Sequence, residues 1–122
     1  MFKDTKAFSG FSVGDIEAAK TFYADTLGLD VGEENGMRRL NIAGSNPVLV
    51  YPKDNHVPAE YTMLNFPVSD IEATVRELTD RGVSFEHYND DQDKLGIYRG
   101  VGPLIAWFKD PAGNVLAVHQ EV

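Results

Sequence analysis

Cysteine is absent from this chain. Without thiols, disulfide scaffolds, zinc ribbons, iron–sulfur centres and cysteine nucleophiles are all excluded, and no redox argument about the compartment can be made. At 122 residues, with 43% apolar and 25% charged residues, the chain has the size of one globular domain. A chain of this size buries a core without disulfides or metal.

Positive charge is also scarce, because 11 Lys and Arg stand against 19 Asp and Glu for a net charge of −8. Such a surface repels phosphate backbones and anionic lipid headgroups, so we expect neither nucleic acid nor membranes as partners. Residues 1–10 are polar and broken by charges, and no window approaches the length of a membrane span. A cytoplasmic protein with a small-molecule ligand is the expectation.

What the chain does contain is an internal repeat. The segment Val-Gly-Asp-Ile-Glu-Ala at residues 13–18 recurs as Val-Ser-Asp-Ile-Glu-Ala at residues 68–73, with five of six positions identical. Each copy follows a short alternating segment and opens one with helical spacing of apolar residues. The pattern predicts a strand and then a helix, twice.

The two predicted helices each have one apolar stripe. The first stripe consists of Ile16, Ala19, Tyr23 and Leu27, and the second of Ile71, Val75 and Leu78. Ser69 and Glu72 have the spacing of a capping box. Gly28 and Gly82 are suited to the left-handed helix stops.

Short segments bounded by turn residues predict eight strands. They cover residues 7–13, 29–33, 37–43, 48–51, 61–68, 84–88, 104–109 and 115–120. Each half is then β-α-β-β-β, with module one at about 1–52, a linker at 53–59 and module two at 60–122. One helix cannot cover both faces of its sheet, so we predict a single α+β domain whose two modules form a curved mixed sheet around a ligand cleft.

Three features together resemble a known family. They are the duplicated plan, the run of Val13, Asp15, Phe22, Tyr23, Leu27 and Gly28, and the Asp-Pro-Ala-Gly-Asn turn at residues 110–114. This combination is similar to the vicinal oxygen chelate superfamily, which contains glyoxalase I, bleomycin-resistance proteins and extradiol dioxygenases. The resemblance implies the fold over nearly the whole chain and implies a homodimer. It carries less weight for activity, since one fold hosts many chemistries.

Enzymes of this superfamily hold a divalent metal with His, Gln or Glu on the first and last strands of each module. The resemblance places these positions at Phe8, Met63, Leu49 and Ala117, with Val50 as the alternative to Leu49. None of these side chains can bind a hard divalent ion. We therefore predict no metal and no cofactor.

The predicted cleft is an apolar pocket with a few polar groups. Because side chains alternate along a strand, residues two apart from the four positions share their face. The predicted cleft-lining residues are Phe8, Ser12, Leu49, Tyr51, Met63, Asn65, Trp107, Ala117 and His119; catalytic residues are not identified.

For several side chains the sequence allows more than one position or role. Either Trp107 or Phe108 reaches the cleft, and either Arg38 or Arg39 reaches its mouth to hold an anionic group or simply lies exposed on the strand. His119 is a base, a ligand contact or a partly solvated strand-end residue. Residues 89–102, rich in acidic side chains and glycine, form a mobile flap or a solvated loop.

Three functions remain open at this point. The first is a metal-independent protein that binds a small hydrophobic, aromatic or cationic compound. The second is a lyase, isomerase or dioxygenase that uses no metal, or an unconventional metal shell built from His119 and nearby carboxylates. The third is a structural or regulatory subunit whose cleft serves only as a dimer interface.

Overall fold

The computed structural model describes residues 1–121. Within them lie seven strands and two α-helices, the first of which runs on into a π-helical turn. The strands are Gly10–Val13 (β1), Asp30–Glu34 (β2), Met37–Asn41 (β3), Val48–Pro52 (β4), Thr62–Pro67 (β5), Leu104–Lys109 (β6) and Val115–Gln120 (β7). The helices are Ile16–Thr21 (α1) and Ile71–Asp80 (α2), and the π-helical turn is Phe22–Thr26.

The chain divides into two compact units, residues 1–57 and the residues from 58 onwards. The first unit holds a sheet of order β1-β4-β3-β2, in which β1 and β4 are parallel and the other pairs antiparallel. The second holds a sheet of order β5-β7-β6, in which β5 and β7 are parallel and β6 and β7 antiparallel. Two mixed sheets, each with one helix, confirm the predicted α+β fold of two modules.

Helix α1 packs on β3 and β4 through its predicted apolar stripe. Ala19 and Tyr23 are only 2% and 1% exposed. At its N-terminus Asp15 accepts hydrogen bonds from the amides of Glu17 and Ala18, which leaves fewer backbone donors unpaired. Beyond the π-helical turn, the chain leaves the helix through Gly28 at φ 73°, as predicted.

Helix α2 packs on β6 and β7 with Ile71, Val75 and Leu78 buried. The predicted capping box of Ser69 and Glu72 is wrong. The cap is Asp70, whose carboxylate accepts from the amide of Ala73 at 3.0 Å. The helix begins one residue later than the box requires, so a charged acceptor takes the place assigned to the serine hydroxyl.

One predicted strand, residues 84–88, does not form, and module two therefore has three strands. Only Phe85 makes an isolated bridge, to Phe108. The reason lies in the following loop, where the Gln92 side chain bonds the amide of Tyr88 and the carbonyl of Glu86. These bonds occupy backbone groups that a strand would offer to a neighbour.

Side chains of the predicted mobile flap form hydrogen bonds within the same segment. The Asp93 carboxylate accepts from the amides of Leu95 and Ile97 and from Nε of Arg99, each at 2.8–2.9 Å. Ile97 is fully buried. The segment is therefore a loop closed by its own hydrogen bonds, and its movement as a flap stays a prediction.

In each unit the face of the sheet opposite the helix carries several of the predicted cleft residues. In the first unit Phe11 contacts the ring of the helical Tyr23, so Ser12 lies on the opposite face. Of the described residues, none belongs to a helix long and apolar enough to cross a membrane.

Candidate functional site

The helix-free face of the first sheet has a row of four paired residues. Gly10 pairs with Leu49, Leu49 with Arg39, and Arg39 with Gly32, so the row crosses all four strands. Each end of the row is a glycine. Because Gly32 has no Cβ, the guanidinium of Arg39 lies directly over it.

Above this row lies a cavity of about 310 Å³. Two of its lining residues, Phe8 and Leu49, are predicted cleft residues, and the structure brings them together although 40 residues of sequence separate them. Val50, the alternative to Leu49, is fully buried on the helix side. The remaining lining residues are Lys6, Glu34, Arg39, Asn46 and Pro47.

The structure separates the two adjacent arginines of β3. Arg38 lies on the helix side, 7% exposed, where Nη2 donates to Glu17 at 2.8 Å. Arg39 lines the cavity and donates from Nε to Oδ1 of Asn41 at 3.3 Å. The predicted cationic group at a cavity mouth is thus Arg39.

Ser12 and Tyr51 pair with each other one row along the same face. Neither lines the 310 Å³ cavity. The Ser12 hydroxyl lies 2.6 Å from Nδ1 of His56, which ties the end of β1 to the segment that follows β4. His56, a residue without a predicted role in the site, therefore positions Ser12.

The second sheet has the equivalent row on its helix-free face. Asn65 pairs with Ala117, and Ala117 pairs with Trp107. The choice between Trp107 and Phe108 is settled, because Phe108 is fully buried against Phe85 on the helix side. Three predicted residues of module two are thus neighbours on one face of the sheet.

Two tyrosines flank Trp107. The ring of Tyr88 lies 5.6 Å from it and the ring of Tyr98 lies 6.2 Å from it, centroid to centroid. Partial burial, together with the Glu86 carboxylate, raises the pKa of Tyr88 above its ordinary value. The phenol of Tyr88 is protonated near neutral pH even at the ordinary value of 10.0 and presents a hydroxyl donor.

His119 pairs with Ile105 and Pro67 in the row next to Trp107. Its Nδ1 atom is buried and has no hydrogen-bond partner within residues 1–121. Met63 falls at a register shift in β5, between Thr62 and Leu64. A residue at such an irregularity departs from simple alternation, so its face does not follow from its position in the sequence.

The second unit also has a cavity, of about 270 Å³. Its lining includes Glu60, Tyr88 and Lys109 but none of the five predicted cleft residues of module two. Asn65, Trp107, Ala117 and His119 share one face of the sheet, and that they and Met63 contact a ligand remains a prediction.

The metal of this fold family does not fit the side chains found here. Phe8 and Leu49 line one cavity, while Met63 and Ala117 lie in the second unit, and none of the four offers a donor that a hard divalent ion accepts. Over the described part of the chain, no three His, Asp or Glu side chains lie close enough together to hold a metal ion.

Sequence reasoning missed Lys6, Glu34, Asn46 and Pro47 as cavity residues. Lys6 precedes β1, Glu34 ends β2, and the other two lie between β3 and β4. No local pattern marks them. The pairing of β2, β3 and β4 alone brings them to one place.

Solved structures of other proteins share this fold. A glyoxalase family protein from Enterococcus faecalis has 24% identity and a TM-score of 0.71, covering 98% of this chain and 99% of that one. An antibiotic binding protein from a Streptomyces species has 22% identity and a TM-score of 0.73, covering 100% and 99%. A superfamily member from Sphaerobacter thermophilus has 24% identity and a TM-score of 0.73, covering 99% and 100%. At these identities the likeness shows the fold.

No curated protein sequence matches the chain. The family model described as Glyoxalase/Bleomycin resistance protein/Dioxygenase superfamily matches residues 8–118, which include both repeats and both rows. The chain therefore belongs to the glyoxalase/bleomycin resistance protein/dioxygenase superfamily.

Proposed function

We propose that this protein binds a small molecule with a hydrophobic or aromatic body, without a metal ion, in the cavity of its first unit. One observation carries the proposal. Phe8 and Leu49, at positions where the family resemblance places metal ligands, are apolar and line a common cavity of about 310 Å³. The apolar side chains at these positions make the space suitable for an organic group and unsuitable for a metal ion.

The size and chemistry of the cavity support this function. Small-molecule pockets commonly measure about 300–1,000 Å³ and combine apolar walls with a few polar groups. Here Phe8, Leu49 and Pro47 form apolar walls, and Arg39 and Asn46 contribute polar groups. A single aromatic ring system matches this volume better than a large glycopeptide does.

A structural relative supports the same class of function. The Streptomyces protein, similar over the full length of this chain, is described as an antibiotic binding protein. We transfer from it only the capture of a small molecule. The net charge of −8 favours the approach of cationic compounds to the protein as a whole, so the binding screen includes them.

We propose that the protein works in the cytoplasm as a homodimer and that its two units belong to one domain. The surface of Met63, Asn65, Trp107, Ala117 and His119 is proposed as a second ligand contact.

A binding assay tests the proposed function. Purified protein is dialysed with and without a chelator and screened by thermal shift against aromatic natural products and basic glycopeptides. We expect stabilisation by at least one aromatic compound and no effect of the chelator. The variant Leu49→Trp, which fills the cavity, should abolish the shift. Val101→Trp, at a residue 93% exposed in the second unit, should preserve it.

The alternative is an enzyme, and one observation favours it. The buried Nδ1 of His119 lacks a partner among the described residues, and such an atom suits a ligand, a proton transfer or a metal. Elemental analysis separates the two functions. Stoichiometric nickel, zinc, iron or manganese that survives dialysis would overturn metal-independent binding and indicate a lyase, isomerase or dioxygenase.

A further inference from the structure

The cavity of the first unit departs from the charge of the whole protein. The chain has a net charge of −8, yet the cavity is lined by two cations, Lys6 and Arg39, and one carboxylate, Glu34. A locally positive cavity in an acidic protein is a feature that general solubility does not require.

The Arg39 guanidinium has a defined position, and some of its N–H groups can still donate to a ligand. It lies over Gly32, where a Cβ atom would come within 3.0 Å of Nη2. Nε donates to Asn41, but Nη1 lies 3.8 Å from the Glu34 carboxylate, beyond hydrogen-bond range. The two Nη groups therefore keep N–H donors available in the fork geometry that matches a carboxylate.

Lys6 adds a second positive charge. Its ammonium group has no ion-pair partner within 4.0 Å among residues 1–121. Asn46, another lining residue, donates from its side-chain amide to the carbonyl of Ala7 at 2.7 Å. That bond fixes the segment carrying Lys6 and Phe8 next to the β3–β4 turn.

We propose that the ligand of this cavity is an organic anion, a carboxylate on an aromatic or hydrophobic body. The carboxylate pairs with Arg39, and Lys6 adds its charge. Phe8 and Leu49 contact the apolar body. This inference rests on the proposed function, because it names the ligand class of the same cavity.

Glu34 has a defined part in the selectivity. Its carboxylate lies near the guanidinium and repels a second carboxylate, so it weakens anion binding. Glu34→Gln removes this repulsion. The variant should therefore bind an anion more tightly than the wild type does, a gain that damage to the fold cannot produce.

The experiment compares naphthoate with its neutral analogue naphthamide by calorimetry at low salt. The wild type should bind naphthoate about fivefold more tightly, the ratio for an ion pair at a half-exposed site. Arg39→Gln should remove the difference, and Gly32→Ala, which pushes the guanidinium aside while keeping its charge, should reduce it. Raising the salt concentration should weaken naphthoate alone.

Matched controls separate the possible outcomes. Arg76→Gln removes an exposed cation of the second unit, paired with Glu72 at 3.0 Å, and should leave both affinities unchanged.

Equal affinity for the two probes in the wild type would overturn the anion proposal and leave the proposed function standing. An equal loss in Arg76→Gln and Arg39→Gln would overturn it as well, because attraction would then be unspecific. If neither probe binds, or if Leu49→Trp leaves binding intact, the proposed function fails together with this inference.

Discussion

At the scale of single residues, Arg38 and Arg39 show how strand alternation assigns different roles to identical neighbours. Arg38 turns to the helix and pairs with Glu17 at 2.8 Å and Glu33 at 3.7 Å. Arg39 turns to the cavity with its side chain 40% exposed. Removing Glu17 would cost stability, because it would take away the nearest ion-pair partner of a guanidinium that is 7% exposed. The exposed guanidinium of Arg39 remains available to a ligand.

Gly100 is a residue whose side chain cannot be enlarged. A Cβ at this position would overlap the phenol of Tyr98, whose ring contacts Trp107. We predict that Gly100→Ala displaces Tyr98 and destabilises the protein by about 1–3 kcal/mol. Because Trp107 is the one tryptophan of the sequence, its fluorescence reports the displacement directly.

The matched control for this variant is Gly14→Ala. A Cβ at Gly14 meets no atom within 4 Å, so the free energy of unfolding should change by less than about 0.5 kcal/mol. Unchanged Trp107 emission in Gly100→Ala would contradict the predicted displacement.

Asp110 is a buried carboxylate whose hydrogen bonds shape the turn before β7. It is 4% exposed and accepts from the amides of Ala112 and Asn114 at 2.9 Å and from the Asn114 side chain at 3.0 Å. Asp110→Ala removes the acceptor of these three hydrogen bonds, which we expect to cost about 2–4 kcal/mol. Urea unfolding measures the loss. Asp4→Ala, at an exposed residue, serves as the control. A comparable loss of unfolding free energy in that variant would contradict the prediction.

At the scale of elements, the loop after Phe85 shows how side chains replace strand pairing. Gln92 bonds the backbone at Glu86 and at Gly96, each at 2.7–2.8 Å, and so closes a segment whose residues favoured a strand. The loop then places Tyr88 and Tyr98 on either side of Trp107. Its hydrogen bonds therefore shape the surface of the second unit.

The stability of this loop depends on the ionisation of Asp93. Partial burial acts to raise the pKa of Asp93, but hydrogen bonds from Arg99, Ile97 and Leu95 outweigh it and bring the pKa below the ordinary 3.8. A lowered folded-state pKa means that the stabilisation is complete above pH 3.8 and is lost as the pH falls through the folded-state value.

We predict that amide exchange of Ile97 accelerates in that acid range, relative to residues outside the loop. Asp93→Asn should already show fast exchange at neutral pH and should lack the acid transition. Asp90→Asn, at an exposed side chain, should behave like the wild type. Exchange at Ile97 that is unaffected by Asp93→Asn would disprove the role of this carboxylate.

At the scale of the whole molecule, the repeat keeps its backbone pairing and changes its side chains. The row Gly10, Leu49 and Arg39 in the first sheet corresponds to Asn65, Ala117 and Trp107 in the second. A cation in one unit stands where an indole stands in the other. The duplication has therefore left two surfaces of different chemistry, and ligand proposals for one do not transfer to the other.

The predicted homodimer is a property of the whole molecule, and the mass of the protein in solution tests it. The family resemblance implies pairing of chains, and Phe8 and Tyr61 are 66% and 73% exposed. We expect sedimentation velocity at micromolar concentration to show a species of twice the chain's 13.5 kDa. Ligand binding at the Phe8 cavity should then raise the stability of that species. A single boundary at monomer mass would refute the expectation.

Much of the architecture followed from local patterns. Two patterns predicted all seven observed strands and both helices. They are the repeat around Asp15 and Asp70 and the alternation of apolar residues. The bounds of β6 and β7 agree with the predicted ones to the residue. Local patterns suffice here because helix and strand periodicity act over neighbouring residues. The failure at residues 84–88 came from side-chain bonds that periodicity does not encode.

The candidate site was less accessible from the sequence. The positions of Phe8 and Leu49 followed from the family resemblance, and alternation restricted the cavity cation to Arg38 or Arg39. Neither argument could find Lys6, Glu34 or Asn46, because these residues lie in separate segments that meet only through strand pairing.

From sequence alone come the composition, the negative charge, the duplicated modules and the apolar side chains at the family's metal positions. These properties are local, since they depend on which residues occur and at what spacing. The folded chain alone selects Arg39 over Arg38, places Trp107 between two tyrosines and assembles the cavity above Leu49. Those outcomes depend on which strand pairs with which, and in what register, and such pairing joins residues that are far apart along the chain.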